Sequence, residues 1–230
     1  DPSRPQEDVA REVDDGELGS GRLDDDDAAA RLRGQVVRRP DDRLARVGVV
    51  VDLTAVVGVV AGRDRVDAGR KQLVGGQKPF ATILGCSDSR VPVELVFDQG
   101  LGDLFVVRVA GNVIATDVIG SLGYAVAHLA TPLVVVMGHE GCGAVTAALA
   151  AMRGPTEEPP GIKALVELIE PGIPKELPGR TTAEQISAAV EANVRWSMKQ
   201  LAQLPEAKKV VAEKRVTMLG AVYDLATGRV

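Results

Sequence analysis

Pro79-Phe80-Ala81-Thr82-Ile83-Leu84-Gly85-Cys86-Ser87-Asp88-Ser89-Arg90 sets an apolar run directly against a cluster of reactive side chains. The run from Pro79 to Leu84, with little polar alternation, predicts a strand covered on both faces, as in a parallel sheet. Leu104 to Val109 and Leu133 to Met137 repeat the pattern and end at Ala110-Gly111 and at Gly138. Between them Thr116 can cap a helix through about Ala130, because Val118, Ile119, Leu122, Ala125, Val126 and Leu129 recur at helical spacing. Strand, helix and strand in that order make a crossover, so the expected fold is α/β, a central mostly parallel sheet flanked by helices.

Farther on, Thr181 with Glu184 has the form of a capping box opening a long helix toward Leu204. Val216 to Tyr223 reads as a closing strand before the turn at Ala226-Thr227-Gly228. Pro155, Pro159, Pro160, Pro171, Pro174 and Pro178 make the stretch from Gly154 to Gly179 mostly loop, with one short helix near Ile162 to Ile169.

Cys86 is expected just beyond the first strand and His139 just beyond the third, both at carboxyl ends, where open α/β sheets place their sites. Cys142 follows in the turn to a helix through about Met152, so one loop can aim His139 and Cys142 at a single ion. These segments contain both cysteines of the chain and one of its two histidines; His128, on the crossover helix, reads as a surface or packing residue. Two thiolates and an imidazole suit zinc, and three protein ligands leave a position open for water. The pKa of a water bound there falls toward neutrality, giving a hydroxide nucleophile. Asp88 has two roles open to it. It can coordinate the metal and close the site, or Arg90 can hold it off the metal, where it accepts a hydrogen bond from the hydroxide.

The 230 residues carry a net charge of -5, which argues against a nucleic-acid partner. No stretch reaches the roughly 18 to 20 uncharged apolar residues of a membrane span; Val47 to Gly62 is interrupted by Asp52. A soluble, cytoplasmic protein is therefore expected, and two cysteines fit a reducing compartment. A start at Asp1 fits a lost native N-terminus. Residues 1–70 have no aromatic residue, Lys, Ile, Asn or Met and include the acidic run Asp24 to Asp27. They read as a disordered arm or as a stretch outside the native reading frame, and residues 71–230 as the zinc-dependent domain.

Cys-Ser-Asp-Ser-Arg at 86–90 with Gly-His-Glu-Gly-Cys-Gly-Ala at 138–144 resembles the β-class carbonic anhydrases. The likeness extends through Gly76-Gln77-Lys78-Pro79, Asp98-Gln99-Gly100, Gly102 to Arg108 and Ala110-Gly111-Asn112, and covers residues from about Gly76 to Val230. It implies zinc ligands Cys86, His139 and Cys142, a catalytic pair Asp88 and Arg90, and reversible hydration of carbon dioxide to bicarbonate. It further implies that Gln77 donates a hydrogen bond to substrate and that Phe105, Ala110 and Tyr124 wall the pocket, the two aromatics from a neighbouring subunit. A homodimer or homotetramer follows from the same resemblance.

Two positions depart from the family pattern: Val109 where Asn is frequent, and Glu140 where Ser or Asp is usual. Residues 1–70 offer no counterpart to the family's partner-wrapping helices. The alternatives are hydrolysis of carbon disulfide or carbonyl sulfide at the same centre, or an inactive zinc-binding remnant.

Overall fold

The structure is a computed structural model that describes residues 69–179 and 181–230. The expectation for residues 1–70 falls almost wholly outside that range; residues 69–72 form one helical turn. Four strands, β1 (Ala81–Gly85), β2 (Leu104–Arg108), β3 (Leu133–His139) and β4 (Thr217–Tyr223), form one sheet in the order β2-β1-β3-β4. Every pairing is parallel. The α/β class read from the apolar runs is thus the observed one, with helices supplying the connections.

In chain order these are α1 (Val93–Val96), α2 (Thr116–His128), α3 (Gly143–Arg153), α4 (Pro160–Ile169), α5 (Thr182–Gln203) and α6 (Pro205–Ala212). The period-2 pattern of a strand sends neighbouring side chains to opposite faces. Ile83, Val135 and Met137 accordingly pack with Val91, Val93 and Phe97, whereas Leu84 and Val136 meet Val118, Leu122, Val194 and Met198 from α2 and α5. A third cluster joins α3, α4 and α5 through Val145, Leu149, Val166, Ile169 and Val190, and it includes Cys86 and Cys142.

Several expectations need correction. Thr116 is the first helical residue of α2 and not its cap: Ala115 is extended, and its carbonyl already accepts from the Ile119 amide. That helix stops at His128 because Ala130 turns into the left-handed region at φ 53°, and the Leu129 and Thr131 amides both close on the Ala125 carbonyl. His139 is the last residue of β3, in register with Tyr223, rather than beyond the strand. Full burial holds for β1 and β3 but not for β2, whose first four residues are half-buried at the sheet edge. The capping box is present, with Thr181 Oγ1 accepting from the Glu184 amide and the Glu184 carboxylate accepting from the Thr181 amide. Pro160, with its fixed φ, opens α4 two residues ahead of the expected start.

Candidate metal centre

The carboxyl ends of β1 and β3 lie side by side at the centre of the sheet, since Gly85 is in register with Met137. Continuing one residue from β1 gives Cys86, and finishing β3 gives His139. A tight loop then returns the chain to Cys142, the N-cap of α3. All three side chains are buried, and one ligand atom from each lies within 4.8 Å of the others.

The two sulfurs are 4.0 Å apart. Tetrahedral zinc with bonds near 2.3 Å would separate two thiolates by about 3.8 Å, so the pair suits that ion. His139 Nδ1 donates to the Glu140 carbonyl at 3.0 Å, because a carbonyl can only accept; this aims Nε2 inward. Nε2 is buried with no hydrogen-bond partner. An inward-facing imidazole nitrogen without a partner, beside two sulfurs, is a donor set built for a soft cation.

The electrostatics point the same way. The Cys142 thiol, hydrogen-bonded to Cys86, holds the Cys86 thiol down to about 4 against the opposing effect of burial. His139 and the Gly111 amide help. That interaction with Cys86, joined by burial, pushes Cys142 up. Burial works against the charged form of His139, yet the Cys86 sulfur, the Glu140 carbonyl and Asp88 together raise the imidazole above its ordinary value. Of the three, Cys86 is the side chain held most readily as an anion, a thiolate that a cation would neutralise.

Asp88 stands at the mouth of this pocket. Its Oδ1 accepts from the Arg90 amide at 3.0 Å and from Arg90 Nε at 2.9 Å, while Oδ2 accepts from Arg90 Nη2 at 2.7 Å. Oδ2 is also 3.7 Å from His139 Nε2, so the carboxylate borders the space that the ligand atoms enclose. Hydrogen bonds from Arg90 hold the Asp88 carboxyl well below the usual carboxylate range.

Sequence reading missed the clamp on this loop. Arg108, the last residue of β2, donates through Nε to the Cys86 carbonyl at 2.8 Å and through Nη2 to the Asp88 carbonyl at 2.6 Å. The available signals were a cation ending an apolar strand and its place in the family-like segment Gly102 to Arg108, neither of which gives its partners. Glu140 is held as well: its amide donates to the Tyr223 carbonyl and its carboxylate accepts from Ser187 Oγ at 2.8 Å. At Gly138 helix α5 comes close to β3, and an added Cβ would lie 2.7 Å from a Val194 methyl.

The remaining predicted residues lie farther out. Gln77 is exposed in the loop before β1, and Ala110 is half-buried in the short turn after β2. Phe105 and Tyr124 pack on one another with ring centroids 6.2 Å apart, and Tyr124 is 48% exposed. The exposed His128 stacks near Tyr124 at 5.0 Å, a surface position and not a ligand.

A parallel sheet that presents two cysteines and a histidine at its carboxyl edge, with a carboxylate held beside them, defines a mononuclear metal-enzyme class. The model of the carbonic anhydrase family matches residues 81–230. Carbonic anhydrase 2 of Mycobacterium tuberculosis is 41% identical over 183 residues, covering 73% of this chain and 86% of that protein. A carbonic anhydrase of Mycolicibacterium smegmatis is 42% identical, covering 70% and 78% respectively. Among solved structures, the β-carbonic anhydrase CafA of Aspergillus fumigatus superposes with a TM-score of 0.65 at 27% identity, covering 72% of this chain and 80% of that one. The chain belongs to the carbonic anhydrase family, in its β class. It is a zinc-dependent lyase that interconverts carbon dioxide and bicarbonate.

Proposed function

We propose that Cys86, His139 and Cys142 hold the zinc ion while Asp88 and Arg90 act as the catalytic pair. The observation that carries this reading is the inward-facing His139 Nε2, buried without a partner beside two sulfurs 4.0 Å apart. When bound, the ion supplies Lewis acidity that makes a water acidic enough to act as nucleophile near neutral pH.

The chain does the rest by position and charge. Arg90 occupies both oxygens of Asp88, which keeps the carboxylate ionised and out of the ligand set. Oδ1 is filled by two donors from Arg90, but Oδ2 takes only one and retains a lone pair on the side of the ligand space, so Asp88 accepts a hydrogen bond from the nucleophile there and fixes its orientation toward substrate. Carbon dioxide and water yield bicarbonate and a proton, and the proton leaves through the exposed mouth around Ser87 and Ser89. Ala110 supplies a small apolar wall and Gln77 a donor to a substrate oxygen.

Phe105 and Tyr124 complete the pocket of a second copy in a homodimer or higher homo-oligomer. Their position on a half-buried edge strand and an exposed helix face supports this. Among the described residues no helix is long and apolar enough to cross a membrane. Two buried free cysteines support a cytoplasmic setting, and residues 71–230 make up the catalytic domain.

The test is Asp88→Asn in zinc-loaded protein assayed by stopped-flow hydration of carbon dioxide. Zinc is retained in full and turnover falls by about a hundredfold. Wild-type turnover in the variant would remove Asp88 from the mechanism.

A further inference from the structure

Helix α5 buries two polar side chains in an otherwise apolar face. Asn193 is 1% exposed and Ser197 0%, set among Ala189, Val190, Val194, Met198 and Leu201. They are four residues apart, one above the other on the same side of the helix. A buried amide or hydroxyl in such a place requires a partner, and the identity of the partner shows what the residue is for.

Both partners lie in one turn. Asn193 Nδ2 donates to the Gly111 carbonyl at 2.8 Å, and Ser197 Oγ donates to the Asn112 carbonyl at 3.0 Å. These carbonyls are consecutive, so two bonds from one helix fix the 111–112 and 112–113 peptide planes and anchor Gly111 from its carbonyl side. The turn needs fixing. Gly111 and Asn112 both occupy the left-handed region, at φ 70° and 44°, and a Cβ on Gly111 would come within 2.6 Å of Ile169. The amide of that same Gly111 donates to Cys86 Sγ at 3.4 Å.

We propose that Asn193 and Ser197 are positioning residues for the metal centre: by bonding the Gly111 and Asn112 carbonyls, they anchor the turn just beyond Gly111 Cα and so keep the Gly111 amide on the Cys86 sulfur. The inference rests on Cys86 being a metal ligand. An N–H directed at a thiolate withdraws charge from the sulfur and fixes its lone pairs, which sets how strongly that ligand donates to the ion. The outer support of the site therefore lies on α5, more than a hundred residues along the chain from the ligand it serves.

The experiment replaces zinc with cadmium-113 in the full chain and looks for a scalar coupling between the ion and the Gly111 amide proton. Such a coupling passes only through an N–H···S–metal bridge. Wild type is expected to show it. Ser197→Ala and Asn193→Ala are expected to weaken or lose it, with the zinc dissociation constant rising about tenfold, while Ser197→Thr, which keeps the hydroxyl, restores wild-type values.

Stoichiometric cadmium uptake without the coupling in wild type overturns the proposal and needs no variant that must fold. Variants that lower the melting temperature while coupling and zinc affinity stay unchanged also overturn it, leaving a structural role only. Failure of wild type to take up stoichiometric cadmium, or undiminished uptake by Cys86→Ser, removes the ligand assignment on which the inference stands.

Discussion

Arg90 engages both carboxylate oxygens of Asp88 at once, through Nε to Oδ1 at 2.9 Å and Nη2 to Oδ2 at 2.7 Å. The fork matters because the alternative partner is close by: Asp88 Oδ2 is 3.7 Å from the nitrogen of His139 that faces the ligand space. Arg90→Ala should free the carboxylate to enter the metal's open position. Zinc content should stay stoichiometric by elemental analysis while kcat/KM falls by at least about tenfold. Arg90→Lys should not restore it, since an ammonium cannot match both oxygens. Full activity in Arg90→Ala would show that Asp88 keeps off the metal unaided.

The same pair sets the acid behaviour of Asp88. Its folded-state pKa is depressed, chiefly by hydrogen bonds from Arg90, below the unfolded value of about 3.9. The contribution of this ion pair to stability is therefore present above the unfolded pKa and is lost only as pH falls through the lower, folded one. Asp88 should stay ionised throughout the range in which the protein is active. The carboxyl carbon-13 resonance of Asp88, followed by NMR, should show no titration above pH about 4 in wild type. In Arg90→Ala its midpoint should move upward, and an unchanged midpoint would remove Arg90 as the cause.

How much of this was visible in the sequence depends on whether the signal is local. Cys86, Asp88, Arg90, His139 and Cys142 fall in two short segments at the ends of apolar runs, so residue type and strand order together brought them to one sheet edge. Arg108, Ser187, Asn193 and Ser197 give no such signal. Asn193 and Ser197 look like ordinary polar positions of an amphipathic helix, and only the approach of α5 to the 110–112 turn buries them. The half-burial of β2 was equally hidden, because an apolar run reads the same at the edge of a sheet as at its centre.

Cys142 gives the most direct test of the proposed ligand set. It occupies the N-cap position of α3 and is 1% exposed, and Arg90 holds the nearest carboxylate, Asp88, on both oxygens. Cys142→Ser replaces a soft thiolate with a hard hydroxyl that keeps its proton at neutral pH. Zinc retained after dialysis should drop from one ion per chain to near zero, with α-helical circular dichroism largely preserved. Stoichiometric zinc in this variant would exclude Cys142 from the ligand set.

Glu140 departs from the family's usual residue, and the structure gives it a particular use. Its carbonyl accepts from His139 Nδ1 while its carboxylate is tied to Ser187 on α5, so helix position and imidazole orientation are linked through one residue. Ser187→Ala removes the donor and leaves the carboxylate half-buried without it, which should weaken zinc binding by up to about tenfold. Glu140→Gln keeps an acceptor for Ser187 and should bind zinc close to wild type. Chelator competition would measure both, and equal affinities for all three proteins would show the tie to be irrelevant to the metal.

Gly138 tests whether the site depends on how closely α5 approaches the sheet. A Cβ there would sit 2.7 Å from one Val194 methyl and 3.2 Å from a Val190 methyl, immediately before the proposed ligand His139. Gly138→Ala must push α5 outward or twist the end of β3, at a cost of about 1–3 kcal/mol as for other overpacked cores. Because α5 also carries Ser187, Asn193 and Ser197, the displacement should reach both the Cys86 and the His139 sides of the site. Gly138→Ala should therefore lower the melting temperature and weaken zinc binding together, and adding Val194→Ala should recover part of the metal affinity even though it removes core volume. Recovery of neither quantity would place the damage in the strand itself and not in the contact with the helix.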